Sequence, residues 1–343
     1  MDEILKNIIR DKGPIDVAEF MGLALGHPAH GYYMKGDPFG TRGDFTTAPE
    51  ISQMFGEMVA AWIMDVWQQM GAPEFTLLEC GPGRGTLMAD IMRATKSVPG
   101  FHEAAHVHLL EISPALRAMQ AAALDIYKPE WHVNLETLPD QPMIVIANEF
   151  LDALPVRQLI RTGEGWRERV VAVEGEKFVY GTKDLPFNLG VQAEEGEIFE
   201  ISPVRSQFVM DLMKKMDGAA LIIDYGHAEP GLGDTLQALR KHQYVSLLDG
   251  VGDADLTTHV DFYAVKQSAE AAGGKVFGPV EQGAFLKALG IDQRAETLKT
   301  RATPAQKTDI ENSLRRLTDS GQMGWLFKVM GLTNGRAIDL AGF

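Results

Sequence analysis

Residues Leu77 to Leu87 read Leu-Leu-Glu-Cys-Gly-Pro-Gly-Arg-Gly-Thr-Leu, an apolar run that stops at three alternate glycines, Gly81, Gly83 and Gly85, before a helical pattern resumes. A buried strand entering such a turn lets the backbone approach a ligand where any side chain would collide, and the next helix offers its unpaired N–H groups. Strand, glycine turn and helix in that order predict an α/β fold with a cofactor at the turn. A tight turn with no ligand is the alternative, but glycines so dense cost chain order unless close approach is needed. The spacing narrows the ligand: a pyrophosphate cradle of the form G-x-G-x-x-G needs glycine at position 86, where Thr86 stands. A nicotinamide-dependent oxidoreductase is disfavoured on that ground, and no Tyr/Lys or His/Asp reducing arrangement is recognisable.

A second apolar run, His106 to Leu110, ends in Glu111, followed by Ser113-Pro114 and a helical pattern through Leu124. A carboxylate at the carboxyl end of the second strand is where an α/β fold accepts hydrogen bonds from ribose hydroxyls, so Glu111 is expected there. The other reading is an acidic cap for the helix starting near Pro114. Gly83 and Glu111 are further apart than the ~20 residues of compact units, and Lys96 to Ala105, with Pro99-Gly100, is the expected inserted loop. Pro142 to Ala147 reads as a fourth strand, with a short third one just before Val133-Asn134-Leu135.

Asn148-Glu149-Phe150-Leu151-Asp152-Ala153-Leu154-Pro155 follows that fourth strand, at the sheet edge. Glu149 and Asp152 are three apart; on a helical turn they would share a face and grip one guanidinium or ammonium, or else merely cap a solvated turn. Upstream, Asp16 to Leu25 suits a short helix, Gly26 to Thr47 a loop rich in glycine, proline and aromatics, and Pro49 opens a helix ended by Gly71 and Pro73. Its broad apolar face, Ile51 to Trp67, is core, wholly or with a part left for an interface between copies.

Downstream, Arg167 to Val173 and Phe178 to Gly181 flank Glu174-Gly175-Glu176-Lys177 as a hairpin, and the acidic run Glu194 to Glu200 reads as a solvated loop or edge. A helix from Ser202 to Lys215, a strand from Ala219 to Asp224 and a helix introduced by Thr257 to Phe262 restore the α/β alternation. His259 is a base near the site or a cap or packing residue. The tail alternates helices and ends in a strand over Gly324 to Val329.

With 343 residues, 45% hydrophobic and 23% charged, the chain is long enough for a large core. Its net charge of −15 repels phosphate backbones, and no Lys/Arg stripe with interleaved aromatics appears, so nucleic acid is excluded as a partner. An acidic surface attracts a basic target or serves only solubility. No apolar run approaches the ~20 residues that span a bilayer, and the mixed charges of Met1 to Lys12 are not those of a targeting peptide. The lone cysteine, Cys80, is given no catalytic role, and no metal-ligand cluster is recognised.

These stretches carry a family resemblance. The alternating glycines after Glu79 resemble motif I of the class I S-adenosylmethionine-dependent methyltransferases. Together with Gly31-Tyr32-Tyr33, Gly43 to Ser52, Asn148 to Pro155, Asp224-Tyr225-Gly226 and His259-Val260-Asp261-Phe262, they resemble the MidA-like members, a family that includes the mitochondrial complex I assembly-factor methyltransferase. The resemblance implies a Rossmann-like seven-stranded sheet with helices on both faces. It divides the chain into a helical extension and cofactor lid (1–72), a core (73–280) with an insertion at about 156–217, and helices and a last strand that complete the core (281–343). It implies S-adenosyl-L-methionine as donor, held by Gly81, Pro82, Gly83, Gly85, Glu111, Ile112 and Leu135, with Thr46, Thr47 and Glu50 of a Gly43–Ser52 lid at its amino-acid end. Glu149 is expected as main clamp on the acceptor, Asp152 as its support and Asn148 beside them. The implied acceptor is an arginine on a protein, such as a core subunit of complex I; a second copy of the chain is a further candidate partner. A bacterial cytoplasmic member is expected, with a non-catalytic cofactor-binding assembly factor as the rival reading.

Overall fold

The computed structural model describes residues 1–35, 47–185 and 189–343. Its main sheet is built from β1 (Phe75–Cys80), β2 (Ala105–Leu110), β3 (Glu130–His132), β4 (Met143–Asn148), β5 (Gly218–His227), β6 (Lys275–Glu281) and β7 (Phe327–Asn334), side by side in the order β6-β7-β5-β4-β1-β2-β3. All neighbours run parallel except β7, which is antiparallel to both β5 and β6. A two-residue strand, Val260–Asp261, adds to the end of β5. The order reverses between β1 and β4, the kind of switch point where an open α/β sheet takes its ligand at the carboxyl ends of the strands.

Every residue of β1 and β4 is buried, as expected of parallel strands covered on both faces. Alternate side chains feed separate cores. Leu77, Ile144 and Ile146 join Trp62 and Ile91 on one face, while Leu78, Met143 and Val145 join Leu212 and Val265 on the other. The helix expected from Pro49 is broken: Ala48–Ile51 is a single turn, Ser52 is extended (φ −163°, ψ 137°), and its side chain accepts the Met54 N–H to cap Gln53–Gln69. Met54, Phe55, Val59, Trp62, Ile63 and Val66 on that helix are all fully buried, so the face is internal to the chain.

The hairpin is present as Gly165–Glu174 and Lys177–Asp184, inside an antiparallel sheet with Arg157–Thr162, Ile198–Ile201 and the amino-terminal pair Ile15–Asp16. The acidic run therefore ends in an edge strand. A third core joins Leu5, Phe20 and Met21 to Val171 and Phe178 of this sheet and to Leu236 and Leu256. Leu256 belongs to Asp255–Thr257, in a small sheet with Gln237–Arg240 and Gln243–Val245. The last strand starts later than expected, because Met323–Leu326 forms a helical turn and β7 then runs to Asn334. Among the described residues no helix is long and apolar enough to cross a membrane.

Candidate active site

A cavity of about 820 Å³ opens at the carboxyl ends of β1, β2, β4 and β5. It brings together Gly81, Pro82, Gly83, Glu111, Ile112, Leu135, Thr47, Glu50, Asn148, Glu149 and Asp152. Thr46, with the first part of the expected lid, lies outside the described residues. Gly85 is not on the cavity wall. It opens the helix Thr86–Ala94 at φ 84°, and a Cβ there would meet Leu124 Cδ1 at 3.3 Å, so its place is a helix–helix contact.

The other two glycines of the turn form the cradle. Both have positive φ, 62° at Gly81 and 53° at Gly83, and a Cβ on Gly81 would come within 2.9 Å of Phe150. Glu111 is fixed beside them: its Oε1 accepts the Ser113 N–H at 2.8 Å and its Oε2 accepts the Gln120 Nε2–H at 3.1 Å, while the same Gln120 amide donates to the Gly83 carbonyl at 2.7 Å. The helix cap is Ser113, whose Oγ accepts the Leu116 N–H, so Glu111 is an oriented, buried acceptor rather than the cap. Glu50 ties its helical turn to the glycine turn, accepting from Arg84 at 3.3 Å and from the Thr86 hydroxyl at 3.5 Å.

Glu149 and Asp152 do not share a helical face. Glu149 has φ 49° and the residues after it form turns. Its Oε1 accepts from the Ala48 N–H and the Asn148 Nδ2–H, each at 3.3 Å. Burial above all, with the Asp152 charge behind it, pushes the Glu149 carboxyl up to about 8. Asp152 accepts the Tyr225 hydroxyl at 2.8 Å on one oxygen and its neighbour Ala153 N–H at 2.8 Å on the other; burial raises it also. Both carboxyls still face one cavity, but a bend and not a helix brings them there.

The bend is held by residues that position and spacing alone did not single out. Asp224, fully buried at the end of β5, accepts the Leu151 and Asp152 N–H groups at 3.0 and 3.2 Å. Arg205 donates to the carbonyls of Leu151, Leu154 and His259 and to the Thr258 hydroxyl. The Asp-Tyr-Gly at the end of an apolar strand was a usable signal for Asp224 and Tyr225; Arg205, within a helix, carried none. His259 packs edge-on against Tyr225 at 5.6 Å and is absent from the cavity wall, so it is a packing residue. Cys80 is buried, which pushes its thiol up. His108, Glu130 and His132 come close enough to suggest metal ligands, but the two histidines hydrogen-bond each other at 2.9 Å.

Two buried acceptors on the cavity wall, Glu79 Oε2 and Asn148 Oδ1, have no partner among the described residues, and burial pushes the Glu79 carboxyl up to about 8. A glycine cradle, a held carboxylate at the second strand and unsatisfied acceptors fit a ligand with ribose hydroxyls, an amino group and a positive charge, which is the chemistry of S-adenosylmethionine.

Comparison with known proteins agrees. Residues 58–280 match the family described as "Putative S-adenosyl-L-methionine-dependent methyltransferase". The chain is 36% identical to the mitochondrial protein arginine methyltransferase NDUFAF7 homolog of Drosophila melanogaster, covering 96% of this chain and 84% of that protein. It is 33% identical to the human mitochondrial protein arginine methyltransferase NDUFAF7, covering 94% and 82%. A crystal structure from Burkholderia thailandensis bound to S-adenosyl-homocysteine superposes with a TM-score of 0.88 at 27% identity, over 100% of this chain and 94% of that one. Turn, sheet order and relatives converge, and the chain belongs to the MidA-like family of class I S-adenosylmethionine-dependent methyltransferases.

Proposed function

We propose that this enzyme methylates an arginine side chain of a protein, and that the acceptor is a core subunit of respiratory complex I, methylated during its assembly. The observation that carries the arginine reading is Glu149, a buried carboxyl beside Asn148 and near Asp152 in the cavity that holds the glycine turn. Relatives named as protein arginine methyltransferases support it; the complex I acceptor rests on the family resemblance.

Bound S-adenosylmethionine supplies a methyl group already activated on a sulfonium. What remains for the protein is to align a nitrogen, exclude water and manage one proton. A guanidinium stays protonated at ordinary pH, with a pKa above ~12, so its positive charge must be drawn to one side for another nitrogen to react. Glu149 does this as acceptor of guanidinium N–H bonds, and it takes the proton released when the N–C bond forms. Asp152, anchored by Tyr225 and Ala153, contributes its charge from behind. Ala48, which donates to Glu149, links the clamp to the turn that carries Glu50.

The test is transfer from tritiated S-adenosylmethionine to purified complex I core subunits, followed by acid hydrolysis. Label is expected in methylarginine, with a loss on the order of 100-fold in Glu149→Gln, as for removal of one preorganised polar group. Label in methyllysine, or full transfer by Glu149→Gln, overturns the reading.

A further inference from the structure

His108 on β2 and Glu130 and His132 on β3 stand together at the edge of the main sheet, although the two strands are well separated in sequence. The parallel register sets His108 beside Glu130 and Leu110 beside His132. Side chains alternate along a strand, so all three project from one face. One ligand atom from each lies within 4.8 Å of the other two. Both imidazoles are buried, and Glu130 is exposed to solvent.

The hydrogen bonds around His132 fix where its proton sits. The Thr137 hydroxyl donates to the Asn134 carbonyl at 3.4 Å, so toward His132 Nδ1, 2.7 Å away, it acts as acceptor. His132 therefore carries its hydrogen on Nδ1 and presents Nε2 as a bare lone pair, which meets His108 Nδ1 at 2.9 Å. Burial lowers both imidazoles below the usual histidine range, so both rings are neutral at neutral pH. A shift of the His108 proton from Nδ1 to Nε2 then turns a second lone pair toward the same point. An oxygen that locks a histidine through its far N–H, as Thr137 does here, is the usual way a metal-bound imidazole is oriented.

Two imidazole nitrogens and a carboxylate oxygen suit zinc and its transition-metal neighbours rather than calcium or magnesium, which take oxygens. Zn–N bonds of about 2.0–2.1 Å put two nitrogens of a tetrahedral site about 3.3 Å apart, so the rings need to open by only a few tenths of an ångström. The Glu130 carboxylate, whose charge reaches both rings, supplies the third ligand and part of the compensating charge. Arg117, a cation whose charge also reaches His132, has its N–H groups engaged on the carbonyls of Glu111 and His132.

We propose that His108, Glu130 and His132 form a binding site for zinc or a related divalent transition metal, with Thr137 orienting His132. The metal clips the three-residue β3 to β2. None of the three ligands lines the cofactor cavity, so its part is structural. What it steadies is the cavity wall: the His132 carbonyl accepts the Glu111 N–H at 3.0 Å, and Val133, Asn134 and Leu135 just beyond it line the cavity.

The experiment is calorimetric titration of the full chain, free of any affinity tag and stripped with a chelator, with zinc chloride. The wild type should take one equivalent at micromolar or tighter affinity. His108→Gln should weaken binding about 100-fold, and Glu130→Gln and Thr137→Val about tenfold each, the last because it removes only the group that orients a ligand. Glu130→Gln changes an exposed side chain and should keep S-adenosyl-homocysteine affinity within twofold of wild type, which shows its fold intact. A wild type that takes up no zinc at micromolar concentration overturns the site. Equal zinc binding by wild type, His108→Gln and Glu130→Gln overturns it too, because the metal is then held elsewhere on the chain. If His108→Gln fails to bind S-adenosyl-homocysteine, Glu130→Gln decides: unchanged zinc affinity overturns the proposal, and a weakened one supports it.

Discussion

Glu149 occupies left-handed backbone at φ 49°, a region that costs a non-glycine residue on the order of 1 kcal/mol or more. It also carries a buried carboxyl shifted from 4.5 to about 8. Both are concessions of stability at a position on the cavity wall, where the acceptor clamp is proposed. Between those pH values the folded state binds a proton that the unfolded state has lost, so stability falls as pH rises through the window; Glu79, shifted likewise, adds to the same slope. Glu149→Gln should therefore melt with the wild type near pH 5 and about 3 °C or more above it near pH 9, as read by thermal melts across that range. Equal melting temperatures at both ends would contradict the assignment. Glu149→Gly should go further, relieving the backbone too, and should be a more stable and inactive protein.

At the level of elements, the strand–turn–helix around the glycines separates two kinds of glycine that look alike in sequence. Gly83→Val places a branched side chain at φ 53° in the cradle and should weaken S-adenosylmethionine binding on the order of 100-fold by calorimetry, a loss of about 3 kcal/mol. Gly85→Ala meets Leu124 instead and should lower stability by about 1 kcal/mol with cofactor affinity little changed. Gly85 was expected at the cofactor because the alternation treats all three alike; only the helix packed behind it tells them apart. The same limit explains Glu149 and Asp152. A spacing of three suits a helical turn, but Asp224 claims the N–H groups of Leu151 and Asp152 from far along the chain and bends the segment. The parallel strands were legible because β1 and β4 are buried on both faces and read as unbroken apolar runs. Ser52 hid its break because the apolar face continues across it.

Across the whole molecule the site is shared between the doubly covered sheet and the third core, whose Phe20 and Met21 lie in the same helix as the cavity residues Gly22, Leu25 and Gly26. Phe20→Ala should reduce stability by about 3 kcal/mol in urea denaturation and weaken cofactor binding without touching the cofactor turn. That core draws on residues 5–32, on the hairpin and on residues 236–256, and such long-range closure could not be read from local pattern. It also sets a timetable during synthesis. Leu5 and Phe20 leave the ribosome first, and Leu236 and Leu256 follow only after more than half the chain has been made, on the order of ten seconds or more later. Until the hairpin emerges the apolar side of the first helices has no sheet to cover it, and it is covered only in part until Leu236 and Leu256 arrive, so a chaperone is its natural shelter. The same delay keeps the cofactor out: an unfinished chain lacks β5 and β7, which complete the sheet behind the cofactor turn, so the methyl donor is captured only by a chain that is almost complete.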